Sequence, residues 1–224
     1  MPNLERIVRK AWRETKEGET RQYGNHTVHR ARKMLIVVHG SYEEKTFERV
    51  KRECKKPHFC EPVQIVAYPH PKHLRTFKEA QRGLHRAGPA DTHPGSVGSI
   101  EAYAQIGDNG KREFRVQHIQ SHFSTTNTTP LPRQLATHYM GWRPRTMAHL
   151  LQLARELKMP LVVPRSKLYP QETIGHRATE KTPAHKELLA LCKEHGFSMS
   201  RVAYWSGAFT IKDKQKSEKK RRRE

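Results

Sequence analysis

His138-Tyr-Met-Gly-Trp-Arg-Pro-Arg-Thr-Met147 runs directly into Ala-His-Leu-Leu-Gln-Leu-Ala-Arg-Glu-Leu157, and this stretch sets the reading of the whole chain. Met147, Leu150, Leu151, Ala154 and Leu157 recur at the 3.6-residue spacing of a core-facing helix. Gly141 makes the turn before it, and Pro144 suits the first helical position, where a missing N–H costs nothing. A helix start carries free N–H groups and the positive end of the helix dipole. Arg143 and Arg145 beside it make the turn attractive to an anion, a phosphate above all. Pro160-Leu-Val-Val163 then reads as a short buried strand.

Upstream lies the clearest hairpin. Ile100–Ile106 and Glu113–Gln120 alternate with period two around Gly107-Asp-Asn-Gly110, whose Asn-Gly supplies positive-φ turn positions. The polar stretch 121–137 reads as a long loop between this hairpin and the central helix. Nearer the N-terminus, Leu4, Ile7, Val8, Ala11 and Trp12 mark a helix over 3–17, an appendage spanning residues 1–25. Val28–Val38 reads as one strand, 42–55 as a helix, Val63–Tyr68 as a strand, and 72–87 as a helix with Leu74, Phe77, Gln81 and Leu84 inward. Residues 88–99 are rich in turn formers and read as an exposed loop. Downstream, Thr182 and Gly196 punctuate a helix with Leu188, Leu189, Leu191 and Cys192 inward. Two terminal strands follow, Val202–Trp205 and Ala208–Ile211. Residues 212–224 form a basic tail expected to be disordered. The fold class is α/β (α+β), a mixed, mostly antiparallel sheet flanked by helices, with residues 26–211 as one domain.

The 224 residues are 34% hydrophobic and carry a net charge of +21. The tail accounts for five of those charges and the rest of the chain for 16. So basic a surface favours polyanions, with nucleic acid (DNA or RNA) the expected partner. Three cysteines make a disulfide framework unexpected and point to a reducing, intracellular setting, cytoplasmic or nuclear. Met34-Leu-Ile-Val-Val38 is the longest apolar run and is too short to cross a bilayer, so no membrane association is expected.

Hairpin, loop, phosphate-friendly turn, helix, strand, helix ending Gly196-Phe197, terminal strands: in this order residues 97–211 resemble the GCN5-related N-acetyltransferases. The resemblance implies acetyl-CoA as acyl donor. The strand Arg115–Ser121 would then pair with the pantetheine arm, bringing in Ile119 and Ser121. His138-Tyr-Met-Gly141-Trp-Arg143 would stand for the family's pyrophosphate loop, with Gly141, Trp142, Arg143, Arg145 and Thr146 at the cofactor. His138 and Arg143 depart from the family's loop pattern.

Acyl transfer to an amine needs a base to take the amine proton and an acid to protonate the leaving thiolate. Glu113, His118 and His122 are candidate bases, on or just after the strand leading to the cofactor turn. Tyr204 and Cys192 are candidate acids. Each has a plainer role open to it, as core or surface side chain. Cys54-x3-His58-x-Cys60 with His70-x2-His73 offers ligands of a type that suits zinc, but the spacing matches no common zinc module, and no metal is expected. Lys219, Lys220, Arg221, Arg222 and Arg223 are candidate nucleic-acid contacts. A rival reading of the central turn has Tyr139, Trp142, Arg143 and Arg145 stacking on and clamping a single strand.

Overall fold

The computed structural model describes residues 4–39, 62–82, 93–107, 111–123, 131–164, 183–201 and 208–213. Their elements are α1 (Leu4–Glu14), β1 (Thr20–Tyr23), β2 (His26–Ala31), β3 (Met34–His39), β4 (Pro62–Pro69), a 3-10 turn (Pro71–His73) and α2 (Leu74–Arg82). Then come β5 (Gly98–Ile106), β6 (Arg112–Ser121), α3 (Arg133–Tyr139), α4 (Trp142–Glu156), β7 (Leu161–Pro164), α5 (Pro183–Glu194), β8 (Phe197–Arg201) and β9 (Ala208–Asp213). The strands form one mixed, mostly antiparallel sheet in the order β1-β2-β3-β4-β5-β6-β7-β9-β8. The expected fold class is therefore the observed one.

The chain divides into two compact units. Unit 1 draws on Met1–Glu43, Val63–Ile100 and Gln120–Thr146; unit 2 draws on Glu44–Pro62, Glu101–Ile119 and Met147–Glu224. In unit 1, β1 to β4 pair antiparallel in sequence order, with Val28 opposite Val37 and Val37 opposite Val66. Val8 and Ala11 of α1 are buried with Val28, Leu35, Val37, Val66, Tyr68 and Leu74, and Trp12 packs against them. Arg30 closes the helix end: its guanidinium donates to the carbonyls of Trp12 at 3.1 Å and Thr15 at 2.8 Å, where the helix dipole favours a cation. An ion pair between Lys78 and Glu5 links α2 to α1.

In unit 2, β6 and β7 pair in parallel, and β7-β9 and β9-β8 pair antiparallel. Met147, Leu150, Leu151 and Ala154 of α4 are buried, as the helical spacing requires, and Leu157 is half-buried. Lys158 ends the helix at φ 57, donating to Arg155 O while Met159 N–H reaches Ala154 O, the pattern of a left-handed helix terminator. Gly196 ends α5 at φ 72, as its place after the last helical turn implies. The Arg155 guanidinium lies 4.5 Å from the Phe197 ring centre, donates to Asp213 at 2.9 Å, and also bonds His195 O.

Several expectations need correction. The N-terminal helix ends at Glu14, and the polar stretch after it contains β1. Val28–Val38 is two strands, because Arg32-Lys33 forms a two-residue turn with Arg32 at φ 45. Residues 133–139 are helix α3, not loop, and α4 begins at Trp142, so Pro144 sits within its first turn. Gly141 has an ordinary negative φ and is not required for a left-handed turn. Leu189 is 48% exposed, and His185 is buried on the same helix, edge-on to Phe209. A strand not expected in the sequence lies at Phe197–Arg201, the strand expected at Val202–Trp205 falls outside the described residues, and Lys212 and Asp213 belong to β9 rather than to the tail. Leu84, Thr182, Tyr204, the helix expected at 42–55 and the tail from 214 onward lie outside the described residues.

Candidate functional site

Strand β6 spans Arg112–Ser121, but β7 accompanies it only at Phe114↔Leu161 and Arg115↔Val162. Phe114 N–H donates to Pro160 O at 2.8 Å, and strand alternation turns the backbone groups of Val116 and His118 to the same side, the Val116 N–H being taken up in the Arg115↔Val162 pairing, whereas at the strand end His122 N–H donates to Val97 O. Among the described residues the two strands part after two residue pairs. Among the described residues no strand pairs with the β7-facing edge of β6 at His118, which leaves backbone groups there for an extended ligand. Phe114 and Val116 are buried, and His118, on their face of the strand, is exposed. Ile119 is half-buried and Ser121 exposed.

The expected proton carriers fall into different settings. Glu113 accepts from Gln105 Nε2 at 2.8 Å, and its carboxylate fills the space beside Gly107, so it ties the hairpin end. Cys192 is 1% exposed, and burial pushes its thiol up to about 11, leaving it protonated and packed in the core. His122 is also 1% exposed. Its Nε2 meets Ser99 Oγ at 2.9 Å and its Nδ1 meets Ser96 Oγ. With both nitrogens engaged and burial lowering its pKa to about 4, it is a structural neutral imidazole. His118 is thus the exposed member of the described candidates.

The central turn belongs to unit 1 and is more enclosed than expected. Trp142 is 3% exposed, and a Cβ built on Gly98 would stand 2.6 Å from its ring, so Gly98 is there to admit the indole. Thr146 donates back along its own helix, 3.0 Å from Trp142 O and 2.9 Å from Arg143 O. Arg145 Nη1 lies 3.9 Å from Met34 Sδ, and Arg143 has a buried Nε with no partner. Tyr139 is 0% exposed. Neither Tyr139 nor Trp142 can therefore stack on a base, which removes the clamp reading of this turn.

A partly buried histidine cluster in unit 1, with His93 and His122 buried and His26 and His39 half-buried, escaped sequence reasoning. His39 stands 4.7 Å from His93 and 4.8 Å from His26, ring centre to ring centre, and His93 stacks parallel to His122 at 6.4 Å. His93 Nε2 meets Gln64 Oε1 at 2.7 Å. Burial, then neighbouring histidine charge, lowers His39 to about 3 and His93 to about 4. Gln81 holds the segment after His93 in place, accepting from Gly95 N–H at 2.6 Å and donating to Ser96 O at 2.8 Å. Residues 95–99, expected to be exposed, are buried for this reason. The usable signal was Gln81, a polar residue on the inward face of a helix, which needs a buried partner.

Among the described residues, no group of three or more His, Cys, Asp or Glu stands close enough to hold a metal, and no helix is long and apolar enough to cross a membrane. His70 caps the 3-10 turn and His73 is its last residue, while Cys54, His58 and Cys60 lie outside the described residues. Comparison with protein-family models, with curated proteins and with solved structures found no match.

Proposed function

We propose that this chain is an acyl-CoA-dependent N-acyltransferase, with acetyl-CoA as donor, acting on or near nucleic acid. The observation that carries the reading is the parting of the parallel pair β6 and β7 after Arg115↔Val162. The amides of a pantetheine arm both donate and accept hydrogen bonds, and the edge of β6 at His118, unaccompanied among the described residues, offers them backbone partners. The order hairpin, helix, strand, helix, terminal strands supports the same reading. The bound thioester supplies an activated acyl carbon; the chain must hold it and take a proton from the incoming amine. His118, exposed on that strand, is the side chain assigned to the proton.

The test is calorimetric titration of nucleic-acid-free protein with acetyl-CoA. A Kd of roughly 1–100 µM is expected, abolished by Arg143→Glu with Arg145→Glu. Absence of heat at millimolar ligand, or unchanged affinity in the double variant, would sink the reading. If binding holds, His118→Gln is expected to lower turnover about 100-fold or more with CoA affinity retained.

The second reading is a non-enzymatic nucleic-acid-binding protein, favoured by the net charge of +21. It requires oligonucleotide affinity that falls steeply with salt and is indifferent to CoA.

A further inference from the structure

Three segments far apart in sequence bring cations together in unit 1. Lys33 lies in the β2–β3 turn, Lys72 in the 3-10 turn, and His138 in the last turn of α3. Lys33 Nζ is 3.3 Å from His138 Nδ1. The His138 ring is 6.3 Å from that of His73, which in turn is 6.2 Å from that of His70. Lys33, Lys72 and His138 are exposed, and His70 and His73 are half-buried.

This group is built rather than incidental. The hydroxyl of the buried Tyr139 accepts the His70 backbone N–H at 2.9 Å and lies 2.9 Å from His73 Nδ1. Trp12 packs edge-on to His70 at 4.5 Å, itself covered by the Arg30 guanidinium. Some exposed cations elsewhere have carboxylate partners, as in Arg9–Glu5, Arg21–Glu19 and Arg75–Glu79. Here, among the described residues, none does. Burial lowers the pKa of all three histidines, and the charges that lower them further are all positive: Lys72 and Arg30 on His70, Lys72 with His70 and His138 on His73, Lys33 and Lys72 on His138. Like charges held together repel, and an anion placed among them would relieve that repulsion and favour histidine protonation.

We infer that Lys33, Lys72, His70, His73 and His138 form a docking surface for the phosphate backbone of a nucleic-acid strand, one that tightens as pH falls. The row of rings at intervals of 6.2 and 6.3 Å suits a chain of phosphates better than a single anion. Contacts to phosphate carry no sequence information, so recognition here is of the backbone. The inference rests on the nucleic-acid part of the reading above and is independent of the acyl-donor part.

The test uses the full chain with a fluorescent oligothymidylate, a duplex oligonucleotide, and vesicles containing phosphatidylserine. Binding of the oligothymidylate is expected to weaken with salt. Lys33→Gln with Lys72→Gln is expected to flatten the log–log salt slope by about 1.4, at about 0.7 for each phosphate no longer neutralised. Lowering the pH from about 8 to about 6 is expected to tighten binding, by up to about tenfold per pH unit for each proton taken up. His73→Gln with His138→Gln removes most of that pH dependence, whereas replacing Lys219, Lys220 and Arg221–Arg223 by Gln leaves it intact. Circular dichroism checks that each variant is folded. Oligonucleotide binding that the lysine pair does not alter would overturn the assignment of this surface while leaving the nucleic-acid reading standing. Absence of salt-sensitive binding to either oligonucleotide would end both. Tighter binding to the vesicles, with the same residues responsible, would overturn the choice of partner.

Discussion

Unit 1 buries His93 and His122 with Ser96, Ser99 and Gln81, while unit 2 buries Phe114, Leu150, Leu161, Phe197 and Phe209. The first interior adds to its hydrocarbon core around Val28, Val37, Val66 and Leu74 a set of hydrogen bonds that depend on neutral imidazoles; the second is held mainly by hydrocarbon contact. The difference separates two kinds of sensitivity. A hydrocarbon interior responds to lost volume at any pH, whereas a neutral-histidine interior also responds to protons. It further separates two candidate sites, because the parted strands belong to unit 2 and the cationic surface to unit 1.

The strongest test of this contrast is pH. His39, His93 and His122 have folded pKa values of about 3, 4 and 4, below the ordinary histidine value. The unfolded chain therefore binds more protons between about pH 6.5 and 4, so stability is complete above that window and is lost as pH falls through it. The expected loss between pH 7.5 and 4.5 is on the order of 5 kcal/mol, measured by urea unfolding at each pH. Hydrogen-exchange protection should fall first in β3 and β4 and persist in β7 and β9. A uniform loss in both units would break the comparison.

Next in size is Trp142→Ala, which empties a large buried site in unit 1 and is expected to cost about 3–5 kcal/mol. Gly98→Ala drives a methyl into the same indole and against Gln120 O, 2.8 Å away, and is expected to cost about 1–3 kcal/mol. Neither cost should change between pH 7.5 and 6, and a strong pH dependence would mean that the indole is coupled to the histidines. The smallest effect belongs to unit 2. Arg155→Ala removes the bonds to Asp213 and His195 O and is expected to cost about 1–2 kcal/mol with β8 and β9 fraying first in exchange. Equal fraying in β2 and β3 would show that the arginine acts beyond its own unit.

Much of unit 2 was legible because its helix and strand patterns are regular. The α4 stripe at Met147, Leu150, Leu151 and Ala154, the hairpin and the Gly196 stop each follow from local chemistry. Unit 1 was harder. Its β1 strand, Thr-Arg-Gln-Tyr, has no buried residue and so no apolar alternation to read. Helix α3 hides in a polar segment whose inward residues are Ala136 and Tyr139. The histidine cluster is assembled from β2, β3, the segment at 93 and the end of β6, and nothing local marks residues that meet only through the sheet. The open edge of β6 was likewise unreadable, since where β7 leaves it depends on pairing register rather than on composition.

Arg32 and Lys158 share a feature whose consequence is evolutionary. Both hold a left-handed backbone, at φ 45 and φ 57, without being glycine. Each such residue carries a penalty of about 1–2 kcal/mol that glycine would avoid. The chain thus keeps long cationic side chains at two sites where the backbone itself favours none, one of them next to Lys33. Glycine at either site is a single-residue route to a more stable but less charged protein. A laboratory selection for thermal tolerance alone should find these positions early, and a selection that also demands polyanion binding should leave Arg32 in place.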